Sequence, residues 1–312
     1  MLSRRNIRIK VMQLLYSMNR DSDLSYIKAE INYDRKVKIS YDTYLYNLYL
    51  FQKIANYSKK DEETRKSKHL PSDEDRNFSP ILATNPFMDS LIRHEGFHER
   101  LSRAKLMSLI DMDIVRKLYQ QFAETEEYKK YVYKEEEYTD SDHQTILLSL
   151  YRFCTKSEFF NENIEDIFPN WVDDDSLVIG ATKKTIKGFP VTNLFYEDYV
   201  PDHETVENFG KDLLYKINEL DEELLEVIKP ALQNWDVDRV AILDMIMLKM
   251  AICEFLHFPT IPTKVTINEY IDVSKMYSTP KSKDFINGIL DRLLKQLLKN
   301  GQIDKQGRGL KS

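Results

Sequence analysis

The stretch ILDMIMLKMAICEFL, residues 242–256, predicts a buried helix. It lies in the most apolar window of the chain, residues 240–256, which Asp244, Lys249 and Glu254 interrupt. A membrane span needs about 20 consecutive apolar residues, and charges inside one are costly. Because this window has only 17 residues and contains three charges, the pattern predicts a helix inside a water-soluble protein.

Helical patterns continue on both sides of this stretch. Upstream, helices are predicted near residues 204–219 and 222–233. Downstream, the prolines of FPTIP at residues 258–262 break the helix, because proline cannot continue one. Two further helices are predicted at residues 264–277 and, after Pro280, up to residue 299.

The first helix is predicted from a single apolar stripe. Its members are spaced at i, i+4, i+7, i+8 and i+11, which is the helical period; they are Ile7, Val11, Leu14, Leu15 and Met18. The helix is expected to span about residues 5–19 with Ser3 as its N-cap. We expect it to pack against the C-terminal helices despite the long intervening segment.

The middle of the chain also has helical patterns. Residues 42–57, DTYLYNLYLFQKIANY, predict an apolar, Tyr-rich helix. Residues 59–80 are charged and lack periodicity, so a solvated loop is expected there. Further helical patterns follow at 86–110, 113–133, 141–153, 159–167 and 175–187. Since strand signals are nearly absent, the predicted fold class is all-α.

Composition excludes several classes of protein. The chain has 312 residues, 42% of them hydrophobic and 31% charged, with 8 Gly. It contains neither G-x-G-x-x-G nor G-x-x-x-x-G-K-[ST], so a Rossmann or P-loop nucleotide site is not expected. Cys154 and Cys253 each lie in an apolar segment, which favours buried thiols in a reducing compartment. With no secretory signal visible at the N-terminus, a cytoplasmic location is expected.

The motif HEGFH, residues 94–98, matches the zinc-peptidase pattern H-E-x-x-H. On a helix, His94 and His98 would face one metal and Glu95 would act as the base. However, Gly96 weakens a helix at that point, charged residues follow directly, and no third-ligand signature occurs downstream. An ordinary surface helix is favoured, and zinc peptidase stays a remote alternative. No catalytic residue, metal or cofactor is predicted.

The charge of the chain is unevenly distributed. The net charge is −6, but both ends are basic. The first twenty residues contain no acidic residue and five cations, namely Arg4, Arg5, Arg8, Lys10 and Arg20. An acidic body with basic ends favours a local anion-binding patch.

Next to the first four cations stand Gln13 and Tyr16. Arginine binds phosphate with two hydrogen bonds and stacks on bases, and an aromatic ring stacks as well. This combination is typical of single-stranded RNA binding. A merely charged terminus is the alternative interpretation.

The two ends of the chain together resemble the NusB family of bacterial transcription antitermination factors. At the start, SRRNIRIKVMQLLYSM, residues 3–18, is similar to the Arg-rich helix of the family. Near the end, Trp235 and Arg239 precede the buried helix, and IPTKVTINEYIDVSKMY (261–277) and SKDFINGILDRL (282–293) follow it. The likeness covers about 20 residues at the start and about 105 at the end. The enlarged size of this chain is similar to that of family members from Bacteroidetes-type bacteria.

This resemblance implies an all-α fold of NusB-like helical bundles with a large helical insertion after the first helix. The expected division is the Arg-rich helix at 1–20, an insertion of unknown role at 24–200, and a NusB-like C-terminal domain at 203–312. The resemblance also implies a non-enzymatic factor that binds boxA of nascent rRNA transcripts with ribosomal small-subunit protein NusE. The implied outcome is read-through by RNA polymerase in its antitermination complex.

The resemblance also assigns candidate site residues. The implied RNA-binding residues are Arg4, Arg5, Arg8, Lys10, Gln13, Tyr16, Ser282, Lys283 and Phe285. Tyr16, and Asp244 at the exposed edge of the buried helix, are the residues implied to meet NusE. Asn268 and Glu269 are interpreted as structural, and Gly288 as permitting close helix packing.

The chain also departs from the family pattern. Lys281 stands where many members are acidic, and Asp284 where a basic residue often precedes the phenylalanine. A helical protein-interaction scaffold without RNA binding is the main alternative function. An rRNA cytosine methyltransferase, which carries a NusB-like N-terminal domain, is not favoured because here the NusB-like signature lies at the C-terminal end.

Overall fold

The computed structural model describes residues 1–192, 194–232 and 237–306. Throughout these ranges the regular secondary structure is helical, and no strand occurs in them. The prediction of an all-α fold is confirmed. Within the same ranges, none of the helices combines the length and the apolar character that crossing a bilayer requires.

The chain divides into two compact units. The first consists of Lys38–Pro201 with residue 1, and the second of Leu2–Val37 with the described part of Asp202–Ser312. The sequence predicts an insertion beginning at residue 24, whereas the compact unit begins inside a helix, at Lys38. The assignment of separate roles to these segments stays a prediction.

The second unit contains the two ends of the chain. Its helices are α1 (Arg4–Arg20), the beginning of α2 (Tyr26–Lys66), a π-helix (Glu204–Lys211), α12 (Asp212–Glu219), α13 (Asp221–Ile228), 3₁₀ turns at Lys229–Leu232 and Val237–Arg239, α14 (Ile242–His257), α15 (Thr263–Tyr277) and α16 (Ser282–Lys299). The helices predicted for this region are confirmed among the described residues, with the π-helix as an additional feature. The helix predicted at 222–233 gives way to a 3₁₀ turn after Ile228, and its last residue lies outside the described residues.

Helix α14 lies at the core of the second unit. Side chains on all its sides are buried, among them Ile246, Met250 and Phe255, and it packs against α1, α12, α13, α15 and α16. The expectation that the first helix packs against the C-terminal helices is therefore confirmed. Ser3 begins α1 as expected, with its side chain accepting from the Asn6 amide and the Asn6 side chain accepting from the Ser3 amide.

The π-helix lies close to α1 and α2 at Gly210. A Cβ atom at this position would lie 1.8 Å from the Tyr33 hydroxyl oxygen and 2.6 Å from Cγ2 of Ile7. Only glycine permits this approach. At Gly288 a Cβ atom would meet nothing within 4 Å, so the close-packing role predicted for Gly288 is wrong.

The first unit contains the remaining helices. These are the later part of α2, then α3 (Asp73–Asn77), α4 (Ile81–Thr84), α5 (Pro86–Ile92), α6 (Glu95–Arg103), α7 (Met112–Ala123), α8 (Glu126–Val132), α9 (Asp140–Lys156), α10 (Glu158–Ile167) and α11 (Trp171–Lys187), with 3₁₀ turns at Met107–Leu109 and Phe195–Tyr199. Their core is rich in aromatic side chains, among them Tyr44, Phe51, Phe122 and Tyr151.

The loop predicted at residues 59–80 is wrong in part. Helix α2 continues to Lys66, and α3 occupies Asp73–Asn77. Ion pairs spaced by four residues stabilise this extension, because Arg65 contacts Asp61 at 3.0 Å and Lys66 contacts Glu62 at 2.8 Å. Such pairs support a helix without any apolar periodicity.

Candidate nucleic-acid interface

The centre of the second unit holds a buried ion pair. Arg8 of α1 is 2% exposed and Glu254 of α14 is fully buried. The Nε and Nη2 atoms of Arg8 donate to Oε1 and Oε2 of Glu254 at 2.7 and 2.8 Å. Two parallel, charge-assisted hydrogen bonds of this kind fix the relative position of both side chains.

Further groups satisfy the Glu254 carboxylate. Thr266 Oγ1 donates to Oε2 at 3.0 Å, and the Tyr270 hydroxyl donates to Oε1 at 2.6 Å. Burial, together with the charge of Glu254, raises the pKa of Tyr270 well above its usual value. Burial opposes ionisation of Arg8, but its hydrogen bonds and attraction to Glu254 outweigh that effect and raise its pKa.

Arg5 lies on the outward side of α1. Its Nε atom donates to Oε2 of Glu269 at 2.8 Å, and its Nη2 atom donates to Oε1 of Glu269 and to Oδ2 of Asp272, both at 2.9 Å. The Arg5 side chain is nevertheless 44% exposed. The hydrogen bond to Glu269 raises the pKa of Arg5 against the opposing effect of partial burial.

Arg4 has a looser environment. Its side chain is 37% exposed, and its Nη2 atom lies 3.6 Å from Oε1 of the exposed Glu204. The Cζ atoms of Arg4 and Arg8 lie 5.5 and 5.1 Å from the ring centroid of Phe209, on the π-helix. Phe209 therefore forms an aromatic platform beneath both arginines.

A groove of about 360 Å³ opens beside the start of α1. It is lined by Ser3, Arg4, Arg5, Arg8, Ile261, Pro262, Val265 and Glu269. The first turn of α1 contains no acidic residue, and the positive end of a helix dipole favours anions. Cations, the positive end of the α1 dipole and an apolar wall together suit a nucleotide phosphate with its attached base.

The other predicted residues of α1 lie away from this groove. Lys10 is buried, and the partly buried Gln13 accepts a hydrogen bond from Nζ of Lys36 at 3.3 Å. Tyr16 is exposed. The groove thus gathers Arg4, Arg5 and Arg8 only.

A second group of predicted residues lies at the start of α16. Ser282 is buried, and its hydroxyl donates to Oδ2 of Asp244 at 2.8 Å, while the Ser278 hydroxyl donates to Oδ1 at 2.7 Å. Lys283 is exposed and Phe285 is partly buried. The expected exposure of Asp244 is wrong, because its carboxylate is buried and serves the two serine hydroxyls.

The HEGFH motif lies in the first unit. His94 is the N-cap of α6, and its Nδ1 atom accepts from the Phe97 amide at 3.0 Å. Nε2 of His98 lies 2.9 Å from the Ile92 carbonyl oxygen. Among the residues that the structure describes, no group of three or more His, Cys, Asp or Glu side chains is arranged to hold a metal ion.

Sequence reasoning missed several partners of the arginines. Glu254 was available as a signal, because a carboxylate within an apolar helix requires a buried cation. Phe209, Tyr270 and Asp272 carry no comparable signal, since their role arises only from tertiary packing. The predicted Trp235 match lies outside the described residues, and Arg239 is exposed.

Comparison with known proteins gives a consistent assignment. The NusB family model matches residues 181–295. Over 103 residues the chain is 39% identical to the transcription antitermination protein NusB of Salinibacter ruber, covering 33% of this chain and 64% of the relative. Over 115 residues it is 36% identical to the protein of that name from Chloroherpeton thalassium, covering 36% and 54%.

A third relative is covered more fully. Over 121 residues the chain is 33% identical to the transcription antitermination protein NusB of Clostridium botulinum, covering 38% of this chain and 91% of the relative. The match thus spans less than two thirds of the first two relatives but nearly all of the third. No solved structure matches the chain.

Proposed function

The chain belongs to the NusB family, and on that premise we propose that it is a non-enzymatic, RNA-binding transcription antitermination factor. Its RNA ligand is single-stranded boxA in nascent rRNA transcripts. Its protein partner is ribosomal protein NusE, and together they promote read-through by RNA polymerase. The names of its relatives support this assignment.

The observation that carries the RNA-binding part of the proposal is the groove at the start of α1. Arg4 and Arg5 line it with more than a third of each side chain exposed. Ile261, Pro262 and Val265 form an apolar wall opposite. Phosphate contacts from the arginines supply affinity, and the apolar wall accommodates a base.

The candidate residues divide into two groups by exposure. Arg4, Arg5 and Lys283 contact phosphate, and Phe285 and Gln13 contact the RNA outside the groove. Arg8, Lys10 and Ser282 have almost no exposed surface, which supports a positioning role for them. Tyr16 is exposed and contacts NusE, while Asp244 supports that surface indirectly by holding the start of α16.

Affinity arises by coupling between the two ligands. NusE adds surface, so the pair binds RNA more tightly than this chain alone, and RNA strengthens NusE binding by the same factor. Each phosphate contact on a single strand contributes about −0.7 to the slope of log affinity against log salt. Three contacting cations predict a slope near roughly −2.

The test is binding of a fluorescein-labelled boxA RNA with and without NusE. Arg4→Ala/Arg5→Ala should weaken binding at least about tenfold, a loss of about 1.4 kcal/mol. The matched control is Arg20→Ala/Arg35→Ala, which removes two exposed cations outside the groove and should change affinity by less than about twofold. Equal losses in both variants would contradict a localised site.

One observation favours the scaffold alternative. Arg4, Arg5 and Arg8 each have a carboxylate partner within the chain. A helical protein-interaction scaffold would use these pairs only for stability. Salt-insensitive NusE binding without any RNA binding at low salt would select that function.

A further inference from the structure

We propose that Glu269 and Asp272, on α15, form an acidic latch that competes with RNA phosphate for Arg5. The inference rests on the proposed function, because it concerns regulation of the same groove. In the free protein the latch holds the guanidinium, and RNA binding requires that Arg5 exchange these carboxylates for phosphate.

The geometry makes the two states mutually exclusive. Glu269 accepts hydrogen bonds from the Nε and Nη2 atoms of Arg5 at 2.8 and 2.9 Å, and Asp272 accepts a further one from Nη2. This edge of a guanidinium is one that binds phosphate with two hydrogen bonds. A phosphate on this edge must therefore displace the Glu269 carboxylate.

The exchange is feasible at Arg5 but not at Arg8. Arg5 is 44% exposed, so water and ions screen its ion pairs, and such pairs contribute little. Arg8 is buried on a buried carboxylate, and separating that pair would leave two uncompensated charges. The two arginines stand one helical turn apart, yet only one can change partners.

Glu269 and Asp272 each remain close to another cation when Arg5 moves to phosphate. Nζ of Lys275 donates to Oδ1 of Asp272 at 2.8 Å, and Nη1 of Arg8 lies 3.5 Å from Oε2 of Glu269. Lys275, acting first through its hydrogen bond, lowers the pKa of Asp272, so that carboxylate stays charged. Opening the latch thus leaves neither carboxylate without a cation.

The latch has a measurable consequence for RNA affinity. Glu269→Gln/Asp272→Asn removes the competing charges while keeping side chains of the same shape. The variant should bind fluorescein-labelled single-stranded boxA RNA about three to ten times more tightly, since two partly exposed ion pairs no longer compete. The slope of log affinity against log salt should stay close to the wild-type value, because Arg5 contacts phosphate in both complexes and the number of phosphate contacts is unchanged.

Two controls separate the latch from a general change of charge. Glu222→Gln/Glu223→Gln changes the net charge by the same amount at exposed positions on α13 and should leave affinity within about twofold. Adding Arg5→Ala to the latch variant should abolish the gain, because the cation that the latch releases is then absent. Circular dichroism and thermal unfolding check that each protein is folded. Asp272→Asn alone, at a partly exposed position, should give part of the gain in RNA affinity.

The outcomes distinguish the latch from the function on which it rests. Wild-type binding with no gain in the latch variant, or an equal gain in the α13 control, overturns the latch and leaves RNA binding intact. Absence of binding by both wild type and latch variant at low salt overturns the proposed function together with the latch. Tighter binding that requires Arg5 establishes both.

Discussion

Arg8 and Glu254 lie 246 positions apart in the chain and form a doubly hydrogen-bonded ion pair that is almost completely buried. The pair joins the first helix to the helix at the core of the second unit. The Glu254 carboxylate also accepts hydrogen bonds from Thr266 and Tyr270. A buried ion pair is tolerated when additional hydrogen bonds satisfy its remaining lone pairs in this way.

Breaking this pair on one side should destabilise the protein strongly. Glu254→Gln leaves the Arg8 charge buried without its main partner, so we expect a loss of about 3–5 kcal/mol in the free energy of unfolding. The measurement is urea unfolding followed by far-ultraviolet circular dichroism. Arg8→Met/Glu254→Gln should be more stable than Glu254→Gln alone, because the orphaned charge is gone. A double variant less stable than the single one would contradict this account.

Arg5→Ala is the matched control for that experiment. Its ion pairs with Glu269 and Asp272 are partly exposed, so its loss should cost less than about 1 kcal/mol. The contrast between Arg5→Ala and Glu254→Gln then reports burial, since each variant breaks an ion pair between an arginine of α1 and a glutamate.

The close approach at Gly210 gives a second prediction. In Gly210→Ala the new methyl group would overlap the Tyr33 hydroxyl, which is buried and donates to the Val206 carbonyl at 2.8 Å. We expect a loss of about 2 kcal/mol or more, because overpacking forces these helices apart. Gly288→Ala is the control, because residue 288 is exposed on α16 and its new methyl group would meet nothing within 4 Å. It should be neutral or stabilise by up to about 1 kcal/mol.

Much of the fold could be predicted because its signals are local. The apolar window at residues 242–256 and the stripe of α1 each determine a helix from neighbouring residues alone. The end of α2 could not be predicted this way, since Arg65 and Lys66 stabilise it through ion pairs and not through apolar spacing. The close packing of the π-helix at Gly210 involves Tyr33 and Ile7, which lie far away in the sequence, so no local pattern reports it.

The candidate site could likewise be predicted only where its signals are local. The cluster of cations in α1 could be predicted from composition and from the family resemblance. Which cation is buried could not, because that depends on Glu254, in a helix more than two hundred residues away. Likewise, nothing in the sequence around Asp244 indicates that it is buried. Its carboxylate accepts from two serine hydroxyls that only the fold brings near.

The hydrogen bonds of Asp244 lead to a third prediction. Asp244→Ala would remove the acceptor of the Ser278 and Ser282 hydroxyls and loosen the start of α16. We expect a loss of about 1–3 kcal/mol, since hydrogen bonds to a buried carboxylate are lost. Thermal unfolding measures this loss. The control is Asp291→Ala, which removes an exposed carboxylate from α16. A loss no larger than that of the control would contradict a role for Asp244 at the start of α16.

The last prediction concerns pH and Lys305. Its Nζ atom donates to the carbonyl oxygens of Glu254 and Phe258, both at 2.8 Å, where α14 ends. Burial lowers the pKa of Lys305 to about 8, although the negative charge of Glu254 opposes the shift. Between that value and the ordinary lysine pKa near 10.5, the unfolded chain binds more protons than the folded one. This group therefore makes stability rise with pH from about 8 upwards, and below about 8 its contribution stays constant.

Lys305→Gln isolates this contribution from the tyrosines that titrate in the same range. The amide can still donate to one carbonyl but carries no proton to lose. The difference in unfolding free energy between wild type and Lys305→Gln should therefore shift in favour of wild type between pH 7 and 9.5, as its folded state releases the proton. Urea unfolding at closely spaced pH values measures that difference. A difference in unfolding free energy that does not change with pH, or that shifts in favour of the variant, would contradict this prediction. It would mean that the Lys305 amine stays charged at the end of α14 over the whole pH range, and that its two hydrogen bonds outweigh the cost of burying it.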